Sequence, residues 1–199
     1  MEEVIIDADK SSGTTFVCAN DLRNKDNLQK IPGDKPGWYR WWATEKALEQ
    51  LLIPQKYFDR LHKRKHADKY LFCIYVGIAV KESIRARLNW HVNQHHTESA
   101  VQSGTLSTLR QSISSLVAGD QRNETAANEL IDQLTVEYCA MDYPIKSDIA
   151  KNEIERIEQN ELSKYIYPLN IQGNKNAEIK EYLLELRKKR KSSKTFKTA

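Results

Sequence analysis

Two rhythms of hydrophobic positions organise the chain. In Lys69–Gly77, Leu71, Cys73 and Tyr75 alternate with Phe72, Ile74 and Val76, a strand with both faces at least partly covered, and Gly77 ends it. Gly37–Trp42 (GWYRWW) reads as a second strand, with Tyr39 and Trp41 on one face and Trp38, Arg40 and Trp42 on the other. Its tryptophans belong to a core. Thr135–Met141 is rich enough in β-formers to be a third strand. Helical spacing governs most of the rest. Thr44 caps a helix striped by Ala47, Leu48, Leu51 and Leu52, which Pro54 stops. Ile84 and Leu88 are one turn apart on a helix that also carries Arg87 and His91 as an i,i+4 pair. Leu106, Leu109, Ile113, Leu116 and Val117 mark another helix up to Gly119, and Ala126, Leu130 and Leu134 a shorter one. Ser147 caps a helix running to about Tyr165, ended by Pro168, and Ala177–Lys191 forms a C-terminal helix with Ile179, Leu183 and Leu186 inward. Residues 55–68 read as a basic loop and Gln94–Ser103 as a polar one. Glu3–Ala8 and Thr14–Cys18 are candidate short strands of an N-terminal segment.

Two features break these rhythms in a chemically pointed way. A strand ending in a phenol leads into a helix carrying a guanidinium and an imidazole, an arrangement a core does not need and anion chemistry does. In the Ser147 helix, Ala150, Ile154, Glu158 and Leu162 are four apart and stack on one side, so Glu158 interrupts an apolar seam while Glu153, Glu155 and Glu161 project elsewhere. A carboxylate facing a core must be hydrogen-bonded, paired, protonated or bound to a cation. An ion pair with Arg87 or a lysine meets that demand, and so does a Mg²⁺ ion, which takes one carboxylate together with water and substrate oxygens.

Composition narrows the class. With 199 residues, 40% hydrophobic and 29% charged, the chain has the length for one domain with a real core. No apolar run approaches the ~18 residues of a membrane span, and the acidic start MEEVIIDADK has no apolar stretch of a secretory signal. Cys18, Cys73 and Cys139 are scattered, with no CxxC, which points to a reduced, cytoplasmic protein and against a cysteine zinc site. The net charge is only +4, but His62–His66 (HKRKH) and Leu186–Lys194 (LRKKRKSSK) concentrate the excess. These runs are either solvated surface or contacts to a phosphate backbone.

Taken together, the pieces resemble the GIY-YIG nuclease superfamily. Gly37-Trp38-Tyr39 stands for its first signature and Tyr75-Val76-Gly77 for its second. Arg87-Leu88-Asn89-Trp90-His91 is similar to its arginine–histidine helix motif, and Glu158 with Pro168-Leu169-Asn170 to its distal acid and asparagine. Four motifs occur in the family's order, each on its expected element, across roughly Gly37–Asn176. The resemblance implies an α+β fold with a small three-stranded, mostly antiparallel sheet flanked by helices. Residues 1–36 are then an N-terminal extension, 37–176 the nuclease-like domain with a helical insertion at about 98–133, and 177–199 a C-terminal helix and basic tail. A helix and a basic loop separate the two signature strands, where most members have a short hairpin. With no recognisable DNA-reading module appended, the chain is closest to compact restriction-type members, which often dimerise, so a homodimer is among the expectations.

The resemblance further implies metal-dependent hydrolysis of DNA phosphodiesters, with RNA left open as a substrate. Glu158 would hold Mg²⁺ or Mn²⁺, and Arg87 would donate to the phosphoryl oxygens in the planar fashion that lysine cannot match. Tyr39 would orient or deprotonate the attacking water with Tyr75 beside it. An unperturbed phenol is ionised to only about one part in a thousand at pH 7, so either its pKa is depressed or His91 takes the proton. Gly37, Gly77 and Asn170 are structural members of the motifs. Lys46, Lys63, Arg64 and Lys65 are candidate nucleic-acid contacts. Two other classes stand beside the nuclease: a catalytically silent nucleic-acid-binding module on the same scaffold, and a protein-interaction domain using the Trp-rich strand.

Overall fold

A computed structural model describes residues 7–9, 13–66, 68–171, 173–174 and 177–194. Six strands, β1 (Asp7–Asp9), β2 (Thr14–Cys18), β3 (Gly37–Ala43), β4 (Lys63–His66), β5 (Lys69–Ala79) and β6 (Thr135–Ala140), form one antiparallel sheet in the order β1-β2-β6-β3-β5-β4. Eight helices surround it: α1 (Lys25–Gln29), α2 (Glu45–Gln50), α3 (Ile84–Asn93), α4 (Glu98–Ser103), α5 (Thr108–Val117), α6 (Glu124–Ile131), α7 (Asp148–Lys164) and α8 (Lys180–Lys194). Among the described residues, no helix is long and apolar enough to cross a membrane.

The two rows of β3 side chains explain the layering. Tyr39, Trp41 and Ala43 face the main core, which Leu48, Leu88, Ile113, Leu130 and Leu186 fill from five helices. Trp42 faces the other side with Cys73, Val76 and Leu162, and Trp38 packs there on Ala150 and Ile154 of α7. Helices thus cover both faces of the sheet, each burying one stripe.

The count of three strands is corrected to six, and the reasons differ. β2 pairs with β6 and contributes Val17 to the main core, so that part of the N-terminal segment is integral to the sheet. The short strand read at Glu3–Ala8 survives only as the edge strand β1, and residues 3–6 lie outside the described residues. The supposed basic loop holds a 3-10 helix, Gln55–Arg60, and the edge strand β4, whose sequence KRKH hides it from any hydrophobic count. Cations on an edge strand discourage pairing with another chain, and here Arg64 and His66 also cover the Phe16 ring. Two smaller readings shift as well. α2 ends at Gln50, leaving Leu52 left-handed (φ 54°) and exposed, not in the stripe. The polar stretch before Ser103 contains α4, capped by Thr97.

Candidate active site

Pairing of β3 with β5 sets Tyr39 opposite Gly77 and Trp41 opposite Tyr75, after which the register slips so that Trp42 faces Cys73. Ile74 is the extra residue of this bulge. Strict alternation would put Tyr75 on the face of Cys73; the bulge returns it to the face of Tyr39 and Trp41, a re-aiming for which bulges near active sites are known. The two signature glycines have steric causes. A Cβ at Gly77 would overlap the Tyr39 phenol, and one at Gly37 would run into the carbonyl of Cys139 on β6. Beyond Phe72, β4 no longer pairs with β5, and the segment after α7 takes its place. Leu169 N donates to Ile74 O at 3.0 Å. Asn170 accepts from Val76 N at 2.9 Å and donates to Val76 O at 2.7 Å, so its amide supplies both bonds of a missing strand neighbour.

The Tyr39 hydroxyl and His91 Nε2 lie 2.6 Å apart in a fully buried contact, and the Tyr75 ring packs against both. Burial, with Arg87 and Arg110 nearby, holds His91 well below the usual histidine range, so the imidazole is neutral. Burial pushes the Tyr39 phenol far up and that of Tyr75 to about 12. Neither tyrosine is a resting phenolate. Among the described residues His91 Nδ1 has no hydrogen-bond partner, and it is buried. The helix end beneath it is held by Arg110 of the insertion, whose Nη1 donates to the carbonyls of His91 and Val92 at 2.9 Å each, while its Nε donates to His96. Arg87 lies over the Trp90 ring and pairs through Nη2 with Glu82 at 2.6 Å, whereas its Nε is buried without an acceptor.

Glu158 and Tyr75 line one hollow of about 280 Å³, with Thr108, Asn170 and Gly173. Among the described residues no cation pairs with the Glu158 carboxylate, and burial together with Glu155 pushes its pKa up to about 7. Those properties fit a bound divalent cation: one carboxylate, reachable from an open polar hollow, in need of positive charge, with room for water and substrate oxygens. Among the described residues no group of three or more His, Cys, Asp or Glu residues could hold a metal ion, so Glu158 would share the cation with water and substrate oxygens and not with a protein cage. Tyr39 does not line the hollow; it sits behind Tyr75.

The candidate phosphate contacts lie elsewhere. Lys46 and Lys65 are exposed, Lys63 pairs with Asp59 at 2.7 Å, and Arg64 reaches Glu137 at 3.4 Å; none of them lines the hollow. Glu82 and Arg110 escaped the sequence reading, Glu82 because its partner Arg87 is five residues away and Arg110 because it sits between the apolar residues Leu109 and Ile113 of α5 without disturbing their spacing.

The family model described as the GIY-YIG catalytic domain matches residues 37–192. No curated protein and no solved structure gives a match.

Proposed function

The chain belongs to the GIY-YIG family of nuclease domains, and from that premise we propose that it is an endonuclease hydrolysing DNA phosphodiester bonds with the aid of Mg²⁺ or Mn²⁺. The observation that carries this reading is the line His91–Tyr39–Tyr75, buried at one end and opening at the other beside the unpaired carboxylate of Glu158. Glu158 would hold the cation, which when bound neutralises charge on the phosphoryl and leaving oxygens. Arg87 does not line the hollow, so it would reach the phosphate by exchanging Glu82 for the anion, with its Nε, unpartnered among the described residues, as a further donor.

Tyr75, the phenol facing the hollow, holds the attacking water. The water gives a proton to the Tyr75 hydroxyl as Tyr75 passes its own to Tyr39 and Tyr39 its own to His91 Nε2, so both phenols end neutral and the imidazole charged. The upward shifts of both phenols favour such a transfer during the attack over ionisation beforehand. His91 ends as the proton acceptor: burial, with Arg87 and Arg110 beside it, keeps the imidazole neutral, and an arriving phosphate offsets the Arg87 part of that effect. Tyr39 is thus a relay and His91 the terminal base. Every proposed active-site position, Tyr39, Tyr75, Arg87, His91 and Glu158, is present in the chain, which weighs against the silent module.

The test is cleavage of supercoiled plasmid. Wild-type protein should nick or linearise it in Mg²⁺ or Mn²⁺ and leave it intact in EDTA, and Glu158→Ala and Arg87→Ala should each lower the rate by about 10²–10³-fold. Undiminished cutting by the purified double variant would refute the assignment.

A further inference from the structure

The C-terminal helix repeats the irregularity of α7 with the opposite charge. Ile179 and the α8 residues Leu183 and Leu186 lie buried at spacings of four and three, and the same spacing continues to Arg190 and Ser193. A guanidinium therefore occupies the next place in an apolar stripe. Among the described residues its Nη1 is buried with no hydrogen-bond partner, and no carboxylate pairs with it. The backbone at this point is fixed from the insertion: Gln121 Nε2 donates to the Arg190 carbonyl at 2.8 Å, and the hydroxyls of Ser115 and Ser193 meet at 2.9 Å. The charge of Arg190 is felt at Tyr75, whose phenol it draws downward against the effect of burial.

Along α8 the surface continues the hollow. The hollow of Tyr75 and Glu158 shares Ile171 with a smaller one of about 80 Å³, and that one shares Leu184 and Arg187 with a third of about 420 Å³ bordered by Lys188 and Lys191. Three depressions with common walls make one groove that starts at the site and gains positive charge as it leaves. Arg187 borders the second and third depressions and Lys188 the third.

We propose that this groove carries the nucleic-acid backbone away from the active site, with Arg187 and Lys188 on its phosphates and Arg190, which lines none of the depressions, as a positioning charge behind them. The proposal deepens the nuclease reading and rests on it. It names the strand-binding surface as α8, not the β4 edge.

The experiment measures binding and cutting separately on the full chain. Binding of a fluorescent DNA duplex in Ca²⁺ is followed across a series of KCl concentrations for wild type, the double variant R187Q/K188Q and R190Q. The thermal melt of each variant checks that it is folded. R187Q/K188Q should weaken binding about tenfold and lower the slope of log affinity against log salt by about two. At saturating DNA in Mg²⁺, R190Q should cut about 100-fold more slowly with affinity changed less than threefold, and R190K should recover part of the rate. An unchanged salt slope in R187Q/K188Q, or wild-type cutting by R190Q, overturns the proposal while leaving the nuclease reading in place. Wild-type protein that binds with the expected slope yet cuts nothing in any metal overturns the nuclease reading and keeps the groove. A wild-type chain that binds no DNA overturns the groove.

Discussion

Glu158 and Glu161 stand three residues apart on α7 and have opposite fates. Glu161 accepts from Arg40 at 3.0 Å and from the Tyr167 hydroxyl, with His62 3.5 Å away. Burial alone would raise its carboxyl, but His62, Arg40 and Tyr167 hold it down at about 2. Arg40 in turn reaches Glu137 at 3.0 Å, and that carboxylate also takes Trp42 Nε1 and Arg64. Glu158 has no such company among the described residues, and burial together with Glu155 pushes it up to about 7. Burial is common to both neighbourhoods. What separates them is counter-charge: Arg40 and His62 meet the carboxylate of Glu161, although Arg40 Nε keeps no partner among the described residues, while no described cation meets that of Glu158.

The largest test of that contrast removes the paired member. Glu161→Gln should cost about 3 kcal/mol of unfolding free energy at pH 7, because Arg40 loses one of its two counter-charges in a place with little water. The sign with pH is fixed by the lowered carboxyl. Its contribution is complete above the unfolded value of ~4.3 and disappears as the pH falls through about 2. Urea unfolding of the two proteins between pH 7 and pH 2.5 reads this directly. A difference that stays constant over the range would mean that charge is not what Glu161 contributes.

The contrast was only half legible in the sequence. Glu158 could be found because it breaks an apolar stripe, and the four motifs could be placed because each lies on a locally regular element. Glu161 belongs by spacing to the solvated side of α7, and its burial depends on Arg40 and Tyr167 arriving from other segments. Periodicity cannot report a contact made across more than a hundred residues. The bulge at Ile74 is hidden for a related reason: alternation along Lys69–Gly77 is unbroken in composition, and only the pairing with β3 reveals that Tyr75 has changed face. β4 is invisible because an edge strand of cations carries no apolar signal. Arg190 was within reach, since the stripe argument that found Glu158 applies to α8 without change, but the basic tail around it masks a single inward position.

A smaller effect sharpens the open side of the comparison. If a proton and a divalent cation compete for Glu158, affinity for Mn²⁺ should fall about tenfold for each pH unit below 7 and level off above it. Calorimetric or paramagnetic titration of Mn²⁺ from pH 5.5 to 8.5 gives the curve, and Glu158→Gln should abolish the pH-dependent component. Affinity independent of pH across that window would place the cation on other ligands.

The smallest effect is the most diagnostic, because its sign opposes that of Glu161. A carboxyl raised to about 7 in the folded protein binds a proton on folding, so stability falls as the pH rises from the unfolded value of ~4.3 through 7. Above that point the native chain carries an ionised group it would be better without. Glu158→Gln should therefore be more stable than wild type at pH 8, by about 1 kcal/mol after allowance for the water that reaches the hollow, and equal to it once the pH is below the unfolded value of ~4.3. Adding Mg²⁺ should reverse the order at pH 8, since the ion stabilises only the chain that can hold it. Should Glu158→Gln prove less stable than wild type at pH 8 without metal, Glu158 would be one more paired carboxylate, and the distinction between the two glutamates would collapse.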